Sequence, residues 1–270
     1  AWMANKLGKK AIIYMPQGTV SSRVKSIEQE GAEVIVIENN YDAAVKMASG
    51  YVDEENQNSE EIILSLIQDT AWDGYEEVPL DIMKGYWTQM HEITRQIKKE
   101  KIDIVFLQSG VGSWAASLVS YIFKYWSKPP ICIGVEPYSA NCLFTSIKTG
   151  QRSSVENDKT TIMAGLNCGS VSTLAWDILK KGMSGSISIS DELAQAAIRL
   201  LAFPFEDDPV IVSGESGSSG LGALIGLCKS VEHKKFKEEI SLNQRSNVLV
   251  INTEGDTDPL NYQRIISSTD

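Results

Sequence analysis

The stretch "IDIVFLQSGVGSWAASLVSYIF", Ile102 to Phe123, decides the fold. An apolar run of strand length meets two glycines flanking Val111, and a second apolar run of helical length follows. Strand, tight turn and helix in that order form the first half of a βαβ unit, with the turn beyond the strand's carboxyl end. Asp103 is the only formal charge in the stretch, and the next cation is Lys124.

The same alternation extends in both directions. Upstream, "AWMANKLG" reads as helix closed by Gly8 and Ala11 to Met15 as a strand. Thr19 or Ser21 is expected to cap a helix running to about Glu30, with "AEVIVIE" a buried strand after it and Tyr41 to Ser49 helical again. "YVDEENQNSEE" (Tyr51 to Glu61) has no apolar period and reads as a polar surface insertion. "IILSLIQ" reads as a short strand delivering Gln68, Asp69 and Thr70, and Pro79 opens a long helix with Ile82, Met83, Tyr86, Trp87, Met90, Ile93 and Ile97 on its core face. Downstream, "ICIGVEP" leads into a helix over Ala140 to Ile147, "VIVSGESGSSGLGALIGLC" repeats strand then helix, and "NVLVINTEGDTD" is the last strand and its loop. The fold class is α/β, an open, mostly parallel twisted sheet flanked by helices.

Composition narrows the function. Of 270 residues 43% are hydrophobic, enough for one large domain or two modest ones, and no run reaches the roughly 18 apolar residues of a membrane span. A net charge of -10 disfavours a nucleic-acid partner, which Lys and Arg clusters would attract. Cys132, Cys142, Cys168 and Cys228 show no C-x-x-C spacing and only His91 and His233 are available, so no metal site is expected and the thiols read as reduced and structural. The cytoplasm is the default location.

In open parallel sheets ligands sit beyond the carboxyl ends of strands, where Ser109-Gly110-Val111-Gly112-Ser113 falls. Backbone amides and the positive end of a helix dipole suit a phosphate there, at about 0.3 to 1 kcal/mol when exposed and about 2 when partly buried. A plain packing turn satisfies the same glycines. So does a dinucleotide, through Gly110-x-Gly112-x-x-Ala115 with Glu136 as the ribose acid of an oxidoreductase or binding domain. The loops "SGESGSSG" (Ser213 to Gly220) and "NTEGDTD" (Asn252 to Asp258) also follow apolar runs and converge on the same rim, which a nucleotide half-site does not need. A serine hydrolase is disfavoured: "GESGS" lacks the last glycine of G-x-S-x-G, and neither histidine follows a strand.

Together "YMPQGTVSSRVKSIEQEGAEV", "QDTAWDGY", "LQSGVGSWAA", "VEPYSANC", "TIMAGLNCG", "SGESGSSGLG" and "INTEGDTD" resemble the 2,3-diaminopropionate ammonia-lyases, pyridoxal-phosphate (PLP) enzymes of fold type II, the tryptophan-synthase-β-like fold. The resemblance runs along nearly the whole chain. It implies α,β-elimination of 2,3-diaminopropionate to pyruvate and two ammonias by a homodimer. It also implies that Gly110, Val111, Gly112 and Ser113 cradle the cofactor phosphate and that Thr253 lies beside the pyridine nitrogen. Asp69 would bind the substrate or protonate its leaving amine, Glu136 would organise the wall of the site, and Ser213, Glu215 and Ser216 would lie near the ring.

The family's Schiff-base lysine motif and its Asp-Gly-Asn-His-Gly stretch do not occur in these 270 residues. Lys9, Lys10, Lys25, Lys46 and Lys84 stand in polar settings that do not lower an amine's pKa for imine formation. The sequence is therefore expected to be an N-terminally truncated, inactive C-terminal portion: residues 1–75 the remainder of the small mobile domain, 76–270 the large PLP-binding domain. A degenerate chain that only pairs with a partner is the remaining reading.

Overall fold

The structure is a computed structural model describing residues 1–97, 100–156 and 160–268. The chain divides into two compact units, Ala1–Gln68 with Thr257–Gln263, and Asp69–Asp256 with Arg264–Asp270.

The first unit runs α1 (Trp2–Lys6), β1 (Ile12–Met15), α2 (Ser21–Gln29), β2 (Glu33–Val36) and α3 (Tyr41–Gln57), with β1 and β2 parallel and Ile12 opposite Glu33. Four readings change here. Neither Thr19 nor Ser21 caps α2, because the Thr19 hydroxyl donates back to the Pro16 carbonyl at 2.8 Å. β2 is not buried: Val36 is 49% exposed. Helix α3 continues through Tyr51 to Gln57, where polar insertion was expected. The Tyr51 ring meets Tyr14 at 6.4 Å between centroids, and the Asn56 side chain accepts from the Ile63 and Leu64 amides and donates to the Leu64 carbonyl. Residues 62–68 form no strand, since no described segment pairs with them, and Ile62 stays 83% exposed.

The second unit contains α4 (Glu77–Gln96), β3 (Ile104–Gln108), α5 (Ser113–Tyr125), β4 (Ile131–Pro137) and α6 (Cys142–Thr149), then a 3-10 turn at Ala164–Leu166. There follow α7 (Thr173–Gly182), β5 (Gly185–Ile189), α8 (Asp191–Ala202), α9 (Ser219–Lys229), α10 (Lys234–Glu239) and β6 (Val248–Val250); α11 (Pro259–Ser267) ends the chain's described elements. The four strands are parallel in the order β5-β4-β3-β6. Alternate residues of β3 serve opposite faces: Val105 and Leu107 pack with α4, α5 and α7, whereas Ile104 and Phe106 pack with α8 and α9.

Strand β5 escaped the sequence reading, although the alternation in "GSISI" marks it. Conversely, Val210 to Val212 is not a strand. Its backbone is held at Ile211 by the Leu201 carbonyl and at Val212 by the Asn252 side chain, in place of a ladder, and Val212 is 46% exposed. Among the described residues no helix is long and apolar enough to cross a membrane.

Candidate functional site

β3 lies between β4 and β6, so its carboxyl end opens where connections leave the sheet in both directions, the place where parallel sheets bind ligands. Ser109 still donates to the Val135 carbonyl at 2.8 Å, and the chain then turns away. Gly112 caps α5 with φ of 88°, and a Cβ there would lie 2.9 Å from Leu179 Cδ1, so both conformation and space call for glycine. A Cβ on Gly110 would stand 3.0 Å from both Cys168 Sγ and the Gly165 carbonyl oxygen.

Neighbouring segments lock this turn. The Val111 carbonyl accepts from the Ser172 amide at 2.9 Å, and the Ser113 hydroxyl donates to the Asp69 carbonyl at 2.7 Å. The Ser172 hydroxyl accepts from the Ala71 amide at 2.9 Å, so residues 69–71 are held alongside. Among the described residues the amides of Gly110, Val111, Gly112 and Ser113 have no acceptor, and the buried Ser109 hydroxyl has no partner. Among the described residues no Lys or Arg side chain bonds to residues 109–113. Donors grouped at the positive end of a 13-residue helix match the chemistry of a phosphate. The residues present therefore fit a phosphorylated cofactor.

Thr253 follows β6 and joins this turn through Gln108, the polar end of an otherwise apolar strand. Gln108 Nε2 donates at 2.8 Å to both the Ile251 carbonyl and Thr253 Oγ1. Sequence reasoning passed over Gln108, though a polar residue closing the run "IVFLQ" is the signal for it. Beside Thr253, the Ser213 hydroxyl donates to Asn252 Oδ1 at 2.9 Å, and the Ser216 amide donates to Glu254 Oε2 at 2.9 Å. A Cβ on Gly217 would lie 2.8 Å from the Glu254 backbone nitrogen, and the Gly214 amide donates to the Glu254 carbonyl at 2.9 Å, so these two loops touch along their backbones. Glu215 is buried in the same loop, and its carbonyl accepts from the Ser218 hydroxyl. Ser216 reaches across to the 3-10 turn, its hydroxyl accepting from the Gly165 amide at 3.0 Å.

Asp69 is half-buried near Tyr86 of α4, whose phenol is raised first by burial and then by the Asp69 charge. Glu136 has a different setting. It is fully buried, and its two carboxylate oxygens accept from the Leu143 amide at 2.7 Å and the Phe144 amide at 2.6 Å, capping α6 from the end of β4. Cys142 Sγ lies 3.6 Å from Glu136 Oε1 and 3.8 Å from the Gly110 carbonyl, linking the acid to the glycine turn. Burial pushes the Glu136 carboxyl up to about 8, against the opposing pull of the two amides. A carboxylate engaged inside the fold cannot meet a ribose, which removes the acid the dinucleotide reading required.

The model of the family described as "Pyridoxal-phosphate dependent enzyme" matches residues 1–254. The chain belongs to that family. It is 38% identical over 269 residues to the diaminopropionate ammonia-lyase of Escherichia coli K12, and 38% identical over 273 residues to the same enzyme of Salmonella typhimurium LT2. Each match covers 98% of this chain and 66% of the relative, so the chain spans just under two thirds of those relatives' length. Among solved structures, the E. coli diaminopropionate ammonia lyase in complex with an aminoacrylate-PLP azomethine reaction intermediate superposes with a TM-score of 0.89 at 37% identity, covering 98% of this chain and 67% of that one. The fold is that of the fold type II PLP enzymes, and none of these matches favours an oxidoreductase.

Proposed function

We propose that this protein is a PLP-dependent 2,3-diaminopropionate ammonia-lyase, which eliminates the β-amino group and gives pyruvate and two ammonias. The observation that carries the reading is the run of amides from Gly110 to Ser113 that have no acceptor among the described residues, at the mouth of β3 in a chain 38% identical to such lyases. When bound, PLP supplies an electron sink for the amino acid's Cα. The chain's own residues do the rest. The amides of Gly110, Val111, Gly112 and Ser113 hold the phosphate, and Thr253 faces the pyridine nitrogen. Asp69 binds or protonates the leaving amine, Glu136 braces α6 against the phosphate turn, and Ser213 and Glu215 form the wall around the ring. Residues 1–75 serve as the small domain and 76–270 as the large one, in a cytoplasmic homodimer acting on a small amino acid.

The protein expressed from its complete coding sequence and supplied with PLP is expected to release pyruvate and ammonia in a ratio of one to two from diaminopropionate. Pyruvate from serine or threonine but not from diaminopropionate would overturn the substrate assignment. The 270-residue span alone is expected to bind PLP and release no pyruvate. Among the described residues every lysine is exposed except Lys237, which donates to the Ser230 carbonyl at 2.9 Å, and none bonds to residues 109–113 or to Thr253. Pyruvate formed by that span at an enzyme-like rate would defeat this expectation.

A further inference from the structure

Serines at helix starts ordinarily turn their hydroxyls onto the first amides of their own helix. Two serines of this fold do something else. Ser172 stands at the N-cap of α7 and Ser113 opens α5, and neither helix start carries a side-chain cap bond. Both hydroxyls go instead to one short segment, 44 positions upstream of Ser113 and 101 upstream of Ser172. Ser113 Oγ donates to the Asp69 carbonyl at 2.7 Å, and Ser172 Oγ accepts from the Ala71 amide at 2.9 Å. The Thr173 amide adds a third bond, to the Ala71 carbonyl at 3.2 Å. Ser172 also reaches the other way, its amide donating to the Val111 carbonyl at 2.9 Å. These bonds close a ring. It runs from Val111 through Ser172 to Ala71, along the chain to Asp69, and through Ser113 back to the glycine turn, with Ala71, Ser113 and Ser172 all buried.

We propose that Ser172 is a positioning residue that, with the Ser113 hydroxyl, ties Asp69 to the phosphate turn and so keeps the acid at one distance from the cofactor's anchor. The inference rests on the PLP reading above and deepens it. A carboxylate that binds or protonates a leaving amine acts only within hydrogen-bond reach of it, and a misplacement of about 1 Å can cost about 100-fold in rate. A cofactor anchored by its phosphate presents the amino acid at a set distance from that anchor. Residues 69–71 belong to no helix or strand, and the backbone bonds at both ends of the segment supply the rigidity that regular structure does not. The proton of the Ser113 hydroxyl is committed to this tie, which leaves the amide as that residue's donor to the phosphate.

The test uses the protein expressed from its complete coding sequence and loaded with PLP. Ser172→Ala keeps the amide bond to Val111 and removes the acceptor for Ala71. Hydrogen exchange at Ala71 is expected to quicken about tenfold while the first turn of α7 exchanges as before. A serine that merely capped α7 would give the reverse. Turnover of diaminopropionate is expected to fall about tenfold or more in kcat, with PLP affinity within about twofold of wild type. In an Asp69→Asn background the same substitution is expected to cost no further rate, because no acid is left to place. Ser113→Ala unties the other end of the segment and is expected to act on exchange and kcat in the same direction, so a Ser172→Ala chain that fails to fold does not shield the proposal. Unchanged exchange at Ala71, unchanged kcat with faster exchange, or an equal further loss in the Asp69→Asn background would overturn the positioning role and leave the PLP reading standing. Full activity of Asp69→Asn would take the acid out of the reaction and the inference with it. No binding of PLP and no turnover by the wild-type protein would overturn the PLP reading itself, and the inference falls with that reading.

Discussion

Helices α5 and α6 follow the adjoining strands β3 and β4, and their first turns are treated in opposite ways. At α6 the fold supplies a buried acid: Glu136 reaches from β4 to take the Leu143 and Phe144 amides. At α5 it supplies glycine and no side-chain cap, and the amides from Gly110 to Ser113 have no acceptor among the described residues. Every helix leaves its first N–H groups unsatisfied, and burying such donors without a partner costs about 1 to 3 kcal/mol each. Closing one helix start with a carboxylate while leaving its neighbour open is the difference between a structural end and a binding end.

The largest effect comes from disturbing the open end. Gly110→Val would press a branched side chain toward Cys168 Sγ and the Gly165 carbonyl, 3.0 Å from its Cβ, and tip the amides out of line. Losing two amide-phosphate bonds at about 1.5 kcal/mol each lowers PLP affinity about 100-fold. Trp114, the second residue of α5, gives the readout through quenching of its fluorescence, since its indole is fixed by a 2.8 Å bond to Gln89. Unchanged affinity in the folded variant would show that the turn is packing and nothing else.

The closed end can be broken with pH. Folded, the Glu136 carboxyl is pushed by burial from 4.5 to about 8, whereas in the unfolded chain it returns to its ordinary value. Between those two values the folded state holds one proton more than the unfolded state. Stability therefore falls as pH rises through this window, by up to about 1.4 kcal/mol per pH unit, and levels off above the folded value. Glu136→Gln is expected to remove that slope in urea midpoints measured across the same range. A slope that persists in the variant would assign it to another group.

How much of this was legible in the sequence follows from where the information lies. The glycine turn and its strand could be read because two local signals coincide, a continuous apolar run and glycines at its end, and neither needs a partner to be recognised. Residues 62–68 and 210–212 carry equally good strand composition, yet strandness is a property of pairs, and no described neighbour makes a ladder with them. Glu136 was visible as an acid at a strand end, but its direction depends on α6, whose start lies five residues further on at Asn141 and Cys142. Gln108 was passed over because its partners, Ile251 and Thr253, are over 140 positions away, at separations of 143 and 145. Contacts of that range exist only after the sheet has brought β3 and β6 together.

The smallest effect tests whether the open end works without cations. Among the described residues no Lys or Arg side chain bonds to residues 109–113, and the closest basic residue along α5 is Lys124, at the opposite end of the helix with its ammonium 4.9 Å from the Trp87 ring centroid. Fixed amide dipoles at short range are screened far less by salt than an exposed lysine would be. A tenfold rise in ionic strength is therefore expected to weaken PLP binding by less than about threefold, and Lys124→Gln to change it by less than about twofold at either salt. A drop of tenfold or more with salt would mean that a mobile cation closes over the phosphate. α5 would then differ from α6 only in the distance of its countercharge, and the contrast between an open and a closed helix start would dissolve.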